Sequence, residues 1–399
     1  MEMNTHFHSM QSNRHHSLLI WAFVLIMLIS IPPFYFWSIS GIVSSVYIVV
    51  YFFYGLWERP QNRFHVISLF LFILFYFYAA INMYEKHNFI GTIYNGFRVL
   101  LPLTLFFISQ ANWAVIFKRF VTIYSLILLP SLLVYFCVIW IGIDLPHKLI
   151  TPLNEIKDYG YYAYPFMVII DKLDSFRFCG YFDEPGVIGN ISGVLLIVNR
   201  CNMRDWRSWV LLISGLFSFS LFFYGLVSLY ILLFGPKKAK FALVIIIVMA
   251  FTYLATSESV FNKLLLARLE MGDDGELVGD NRTIASFDMF WKRFVDSEML
   301  WFGYGHRYSN LVADPGGQSY KHLIVDYGII MFIVYLLAFL YYYMSYHVKK
   351  KHLIILLLIL ASVLFQRPFI FSLLYLFLLI SPAAMVKESF ENSSNINTM

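Results

Sequence analysis

Apolar residues run along this chain in long blocks, and polar residues fall into short runs between them. A hydrocarbon core of about 30 Å is crossed by ~20 residues of helix. Blocks of that order lie at residues 18–38, 40–57, 64–83, 91–110 and 121–143, then 186–199, 209–235, 241–256 and 322–345, and last 352–365 and 369–386. They predict helices that are apolar all round, unlike the one-sided stripe of a soluble helix. Composition agrees: of 399 residues, 60% are hydrophobic, 20% aromatic and 13% charged, against about 25% charged in a soluble domain. The predicted fold class is an all-α polytopic membrane protein with the lipid bilayer as a partner and no call for nucleic acid. The polar start (His6, His8, Arg14, His15, His16) leads into a full spanning run without a small-residue cleavage site, so the first helix is expected to stay as an anchor.

Charge sets the expected topology. Arg14, Arg59, Arg63, Lys118 and Arg119 fall on one side of the alternating blocks and Glu85, Lys86 and His87 on the other, which makes the N-terminus cytoplasmic. Arg200, Arg204 and Arg207 follow on the inner side. Keeping Lys237, Lys238 and Lys240 there as well requires 209–235 to be a hairpin of two short helices, turning near Ser218 to Tyr224. Twelve spans result, with Lys349 to Lys351 inside and a last turn at Gln366-Arg367-Pro368 outside. The organisation predicted is a five-span bundle (1–143), a first outer loop (144–185), central spans (186–256), a large outer loop (257–321), C-terminal spans (322–386) and a cytoplasmic tail (387–399). The outer loops hold 7 and 10 of the 24 acidic residues against 4 and 7 basic ones, so each is net −3. The tail, with Asn392 to Asn395, reads as a disordered end. Cys137, Cys179 and Cys201 form no C-x-x-C pair and imply neither a disulfide framework nor a metal site.

Candidate chemistry sits in the outer loops. In the first, Tyr161 to Ile170 and Ser175 to Phe182 read as strands of a β-hairpin joined at Asp171-Lys172-Leu173-Asp174. Period two then sets Arg177, Cys179, Tyr181 and Asp183 on one face and Phe176, Phe178 and Phe182 on the other. Charge at a membrane boundary is costly unless paired or used. Arg177 either pairs with Asp174, Asp183 or Glu184 or binds an anion, and Tyr159, Tyr161, Tyr162 and Tyr164 either stack on sugar rings or form an interfacial belt. In the second loop, Asn281 is a candidate N-cap for a helix bearing Ile284, Phe287, Trp291 and Phe294, with Arg282 in its first turn. A cation there opposes the helix dipole. A nearby anion or a salt bridge to Asp280 accounts for it. The turn Gly272 to Glu276 lacks calcium-loop spacing. Gly303-Tyr304-Gly305-His306-Arg307 permits close backbone approach or makes plain turns, and the segment from Asp314 to Tyr320 leads into the next span. Arg98, in the fourth span, and Arg367, at the last turn, are the remaining candidate cations.

These residues resemble a known family. R-x-x-G-x-F-x-E-P before a span (Arg177, Gly180, Phe182, Glu184, Pro185) is similar to the Wzy-type O-antigen and capsule polymerases and the related O-antigen ligases. An N-R helix with a later tryptophan (Arg282, Trp291), a G-x-G turn (Gly303, Gly305) and D-Y-G-I-I entering a span (Asp326, Tyr327, Gly328) fit the same pattern. The likeness covers about residues 90–385. Where the ligases carry a His-Asn pair this chain has Gly317 and Gln318, which argues against a ligase.

The resemblance implies a GT-C-like, metal-independent, inverting glycosyltransferase without a cofactor, in the bacterial inner membrane with its active site facing the periplasm. Its donor and acceptor are undecaprenyl-diphosphate-linked oligosaccharides, and a chain-length regulator is a conceivable partner. The implied catalytic residues are Arg177 and Arg282, meeting diphosphate charge, and Glu184 as leading base, with Asp183 and His306 behind it. The implied substrate-binding residues are Arg98, Asp183, Tyr181, Gly303, Gly305, His306, Arg307, Tyr320 and Arg367. A lipid-linked oligosaccharide flippase is the rival from the transporter class. Two long outer loops and the lack of repeated halves speak against it.

Overall fold

In a computed structural model, which describes residues 17–29, 62–82, 93, 95–96, 99–150, 160–171, 176–245, 285–306, 308–312, 319–366 and 369–396, the apolar blocks are helical. The helices are α1 (Ser17–Ile29), α2 (Arg63–Ile81), α3 (Gln110–Tyr135), α4 (Pro185–Val198), α5 (Trp206–Phe217), α6 (Leu221–Phe234), α7 (Ala285–Val295), α8 (Met299–Phe302), α9 (Ser309–Val312), α10 (Tyr320–Ser345), α11 (Lys350–Gln366) and α12 (Leu373–Ile396). Arg63–Ile81, Gln110–Trp140 and Tyr320–Ser345 are long and apolar enough to cross a membrane; α1, α4, α5, α6 and Leu373–Val386 are shorter apolar helices. The architecture is compatible with a helical membrane protein. The block at 40–57 lies outside the described residues, as do 30–38, 91–92 and 246–256 of the blocks at 18–38, 91–110 and 241–256.

Helix α2 shows why lipid suits these elements. Its buried face carries Leu69, Phe72, Phe75, Tyr76 and Ala79, while Val66, Phe70, Leu74, Phe77 and Ile81 form an exposed stripe that is equally apolar. In lipid no hydrophobic force drives two such helices together, so packing and hydrogen bonds must. Both are present between α2 and α10, which run antiparallel: Asn62 Nδ2 donates to Ser345 O (2.7 Å) at one end and Ser68 Oγ to Ala338 O (2.9 Å) further along. Between them Phe72 stacks on Phe106 at 3.7 Å and meets Tyr335 and Phe339 edge-on.

Two boundaries differ from expectation. The block predicted to end at 110 is broken by Pro102 into a 3₁₀ turn, Leu101–Phe107, and the next helix starts at Gln110, capped by Ser109, whose Oγ accepts from Asn112 N at 3.1 Å. Lys118 and Arg119 therefore ride on α3 instead of lying in a loop before 121. Arg119 reaches the start of α1, donating to Ser17 O (2.7 Å) and Oγ (2.9 Å). At the other terminus, α12 runs on through Asn392 to Asn395, where composition predicts disorder.

The hairpin expected over 209–235 is there. Helices α5 and α6 are joined by Ser218-Phe219-Ser220 and both pack on α4. At ~1.5 Å per residue each is about 20 Å long, short of a full crossing. The turn meets α4 at Gly189, where a Cβ would collide with Ser218 and Ser220.

Most of the described basic residues collect at one end of this bundle: Arg119 beside Ser17, Arg207 Nη1 on Thr122 Oγ1 (2.8 Å), Arg63 opening α2 beside Ser345, Arg200 within electrostatic reach of His352, and Lys349 to Lys351 after α10. The opposite end carries the described parts of 144–185 and 257–321, the segments expected to be outer loops. There a three-stranded antiparallel sheet, β1 (Lys148–Ile150), β2 (Tyr161–Tyr164) and β3 (Met167–Ile170), pairs Lys148 with Ala163 and Tyr161 with Ile170. A β-hairpin is present in the first loop, but it turns at Pro165-Phe166, inside the predicted first strand; Phe166 takes φ 69° and its carbonyl accepts from Ser131 Oγ at 2.6 Å. Residues 176–182 form turns, not a strand, so the predicted alternation fails there. Phe178 and Cys179 are both buried, Cys179 under Tyr161, Ala163, Val168 and Ile170.

Candidate functional site

The two motif-bearing stretches each bind to an irregularity in a helix. The first irregularity is in α10. Gly328 has φ 77° and ψ 164°, so the helix is interrupted one residue after Asp326-Tyr327. Such a break strands backbone carbonyls, and inside a membrane each must find a donor. The Gly303–His306 strip supplies two: Tyr304 N donates to Val325 O and Gly305 N to Asp326 O, both at 2.9 Å. The strip approaches so closely that a Cβ on Gly303 would strike the Asp326 carbonyl and Gly328 N, and one on Gly328 would strike Trp301 and Phe302. Gly303 and Gly305 take φ 74° and 109°, which suit glycine. The two motifs are thus halves of one contact.

That contact seats a polar cluster. His306 N donates to Asn82 O, just past α2, at 2.8 Å, and Tyr78 Oη hydrogen-bonds Phe302 O. His306 Nδ1 pairs with Tyr327 Oη, and the imidazole lies edge-on to Phe371 at 5.2 Å. Asp326 Oδ1 accepts from Ser309 N at 2.8 Å, closing the turn that follows His306. His306, Asp326 and Tyr327 are all buried. Outside this cluster Tyr304 stacks on Tyr308 at 4.3 Å and packs against Phe290 and Phe294 of α7. Helix α7, predicted from Phe287, Trp291 and Phe294, is held on the first turn of α10 by Lys321 Nζ on Asp288 Oδ1 (3.2 Å) and by Phe287 stacked on His322 at 4.2 Å. Tyr320 stacks on Phe365 of α11 at 6.1 Å.

The second irregularity is the α5–α6 turn. Phe219 takes φ 48°, a left-handed conformation costly for a bulky residue. Arg177 braces it: Nε donates to Ser218 O at 3.1 Å and Nη2 to Phe219 O at 3.2 Å, while Phe178 N donates to Phe217 O at 2.8 Å. From here the chain passes Tyr181, half-buried, to Asp183, whose carbonyl accepts from Tyr161 Oη at 3.1 Å. Glu184 is the N-cap residue of α4 with extended backbone (φ −144°, ψ 136°); Pro185 follows at the first turn, and the Glu184 side chain makes no capping hydrogen bond.

Both stretches stand at the end of the bundle away from most of its described basic residues. Tyr135, at the end of α3, donates to Phe176 O at 2.5 Å, and Tyr76, near the end of α2, donates to Ile370 O at 2.9 Å. Phe182 packs near Tyr124 at 6.2 Å, and Phe371, against His306, is two residues before α12. Arg98, Arg282, Arg307 and Arg367 lie outside the described residues, as do Asp174, Tyr159 and the turn Gly272 to Glu276. The sequence points to His306 as a site residue but not to Asp326 or Tyr327. An aspartate within an apolar span was the available signal, by the rule already applied to Arg98. No family model, curated protein or solved structure matches the chain.

Proposed function

We propose that this chain is a Wzy-type polymerase that lengthens O-antigen or a related surface polysaccharide by joining undecaprenyl-diphosphate-linked repeat units on the periplasmic face of the inner membrane. One observation carries the reading: R-x-x-G-x-F-x-E-P and the paired G-x-G and D-Y-G motifs share the end of a helical bundle opposite most of its described basic residues. The positive-inside rule makes that basic end cytoplasmic, which turns the motifs outward.

No ATP is available outside the membrane, so the diphosphate leaving group must drive the transfer. A hydroxyl of the acceptor glycan attacks the donor's anomeric carbon, the bond to phosphate breaks, and charge grows on the diphosphate. Fixed cations that need no reorganisation stabilise such charge best. Arg177 and Arg282 fill this role in the proposal, with forked guanidinium donors that suit phosphate oxygens. The two carbonyls that hold Arg177 give its guanidinium a fixed direction.

The test is the surface glycan of a strain lacking this chain. The polymerase reading expects glycan shortened to a single repeat unit. Normal chain lengths would refute it, glycan made but left unattached would point to a ligase, and glycan not exported would point to a flippase.

A further inference from the structure

At the end of the bundle rich in basic residues, cations from separate turns converge where α4, α6 and α11 meet, and we propose that this junction binds the phosphate headgroup of an anionic lipid. Such binding is independent of what the opposite end catalyses.

Two turns bring the cations together. Helix α4 ends at Val198, and Arg200 and Cys201 follow with φ 56° and 50°, held by Arg200 N on Ile197 O and Cys201 N on Leu196 O, both at 2.9 Å. His347, at φ 53°, turns the chain from α10 toward α11. Left-handed backbone is disfavoured for residues that carry a β-carbon, yet three of them adopt it here. The outcome is a convergence: Arg200, Lys349 and Lys351 are all within electrostatic reach of His352, in the first turn of α11, and Arg200 also of Tyr230 on α6.

Cations gathered in this way repel one another. They also oppose the dipole of α11, which opens with Lys350, Lys351 and His352 and has no acidic residue in its first turn, although that end of a helix favours an anion. Arg207, at the same end of the bundle, has instead the Asp205 carboxylate at 2.7 Å. A phosphate seated between the two turns reverses both unfavourable terms. Charge acts over several ångströms whatever hydrogen bonds Arg200 and Lys349 make, so each of these cations contributes.

The surroundings favour a lipid as the source of that phosphate. Arg200, Lys349, Lys350 and Lys351 are exposed, so a headgroup can approach. The helices that carry the cluster also expose aliphatic side chains, Leu229 and Leu233 on either side of Tyr230 and Ile354 and Leu357 beyond His352. Acyl chains can lie on such surface while the headgroup meets the cations, the arrangement by which basic pockets between membrane helices take anionic lipids. A soluble phosphate would meet the charges and leave the aliphatic surface unused.

The experiment uses the full chain in neutral detergent, titrated with phosphatidylglycerol or phosphatidylcholine in mixed micelles and read by native mass spectrometry and melting temperature. The wild type is expected to bind phosphatidylglycerol more tightly than phosphatidylcholine. At roughly 5-fold per cation, Lys350→Gln with Lys351→Gln should weaken phosphatidylglycerol about 30-fold and Lys351→Gln alone about 5-fold. Phosphatidylcholine binding should stay as it was, and Lys350→Arg with Lys351→Arg should keep the wild-type affinity. Arg63→Gln with Lys118→Gln removes as much charge elsewhere at the same end and should leave phosphatidylglycerol binding nearly unchanged. Equal affinity for the two lipids overturns the proposal. So does an equal loss in the Arg63 and Lys118 pair, which would make the effect one of overall charge. Inorganic phosphate that raises the melting temperature as phosphatidylglycerol does, and displaces it, overturns the lipid assignment in favour of a soluble anion.

Discussion

Arg177 holds two carbonyls of a turn whose middle residue, Phe219, is in a left-handed conformation. Hydrogen bonds from a charged donor are each worth ~1.5–3 kcal/mol. Arg177→Ala should therefore destabilise the protein by about 3–6 kcal/mol in a detergent melt, beside any loss of activity. Arg177→Lys should keep the charge and lose the fork, recovering only part of that stability. At Gly328, alanine must take a left-handed φ against the Trp301 carbonyl, so Gly328→Ala should cost at least ~1–3 kcal/mol and lower the yield of folded protein on size exclusion. Asp205 gives a pH-dependent case. Burial pushes its carboxyl up, but the hydrogen bonds and charge of Arg207, with Asn199 beside them, more than offset this and hold it below the usual carboxylate range. A depressed folded pKa means stability that is present above the unfolded value of about 3.9 and lost as pH falls through the folded one. Asp205→Asn should therefore lower the melting temperature at neutral pH, change it little in acid, and so flatten the acid side of the profile. A mutant profile that still falls with acid as steeply as the wild type's counts against this assignment.

Among the elements, the short hairpin α5–α6 was legible from charge alone. Keeping Lys237 to Lys240 on the side of Arg204 required 209–235 to turn back, and it turns at Ser218 to Ser220. A reporter fused at Lys238 should read the same side as one fused at Arg204; opposite sides would mean that 209–235 crosses once. Helix α7 was equally readable, because Phe287 and Phe294 are seven residues apart on one buried face. The first loop was not. Residues 161–182 alternate well enough to suggest two long strands, yet Phe166 can turn early because Ser131 of α3 takes its carbonyl, a contact 35 residues away that no local pattern encodes. The break in α10 was half legible: G-x-G and D-Y-G are visible as motifs, but that each exists to receive the other appears only when their backbones meet. Lys118 and Arg119 misled as loop residues because a helix can carry a cation whose partner comes from another element, as Ser17 at the start of α1 serves Arg119.

The whole molecule joins an apolar helical bundle, an end rich in basic residues, and an opposite end where two motif-bearing stretches brace a helix break and a strained turn. Neither stretch forms a deep core of its own; each is held by the ends of apolar helices, which is why changes there are expected to affect stability and activity together. The most direct measurement is the product formed by purified protein in proteoliposomes given an undecaprenyl-diphosphate-linked repeat unit. The account predicts a ladder of lipid-linked chains growing by one repeat at a time, absent with Arg282→Ala. A substrate that stays at one repeat unit beside folded wild-type protein would contradict it.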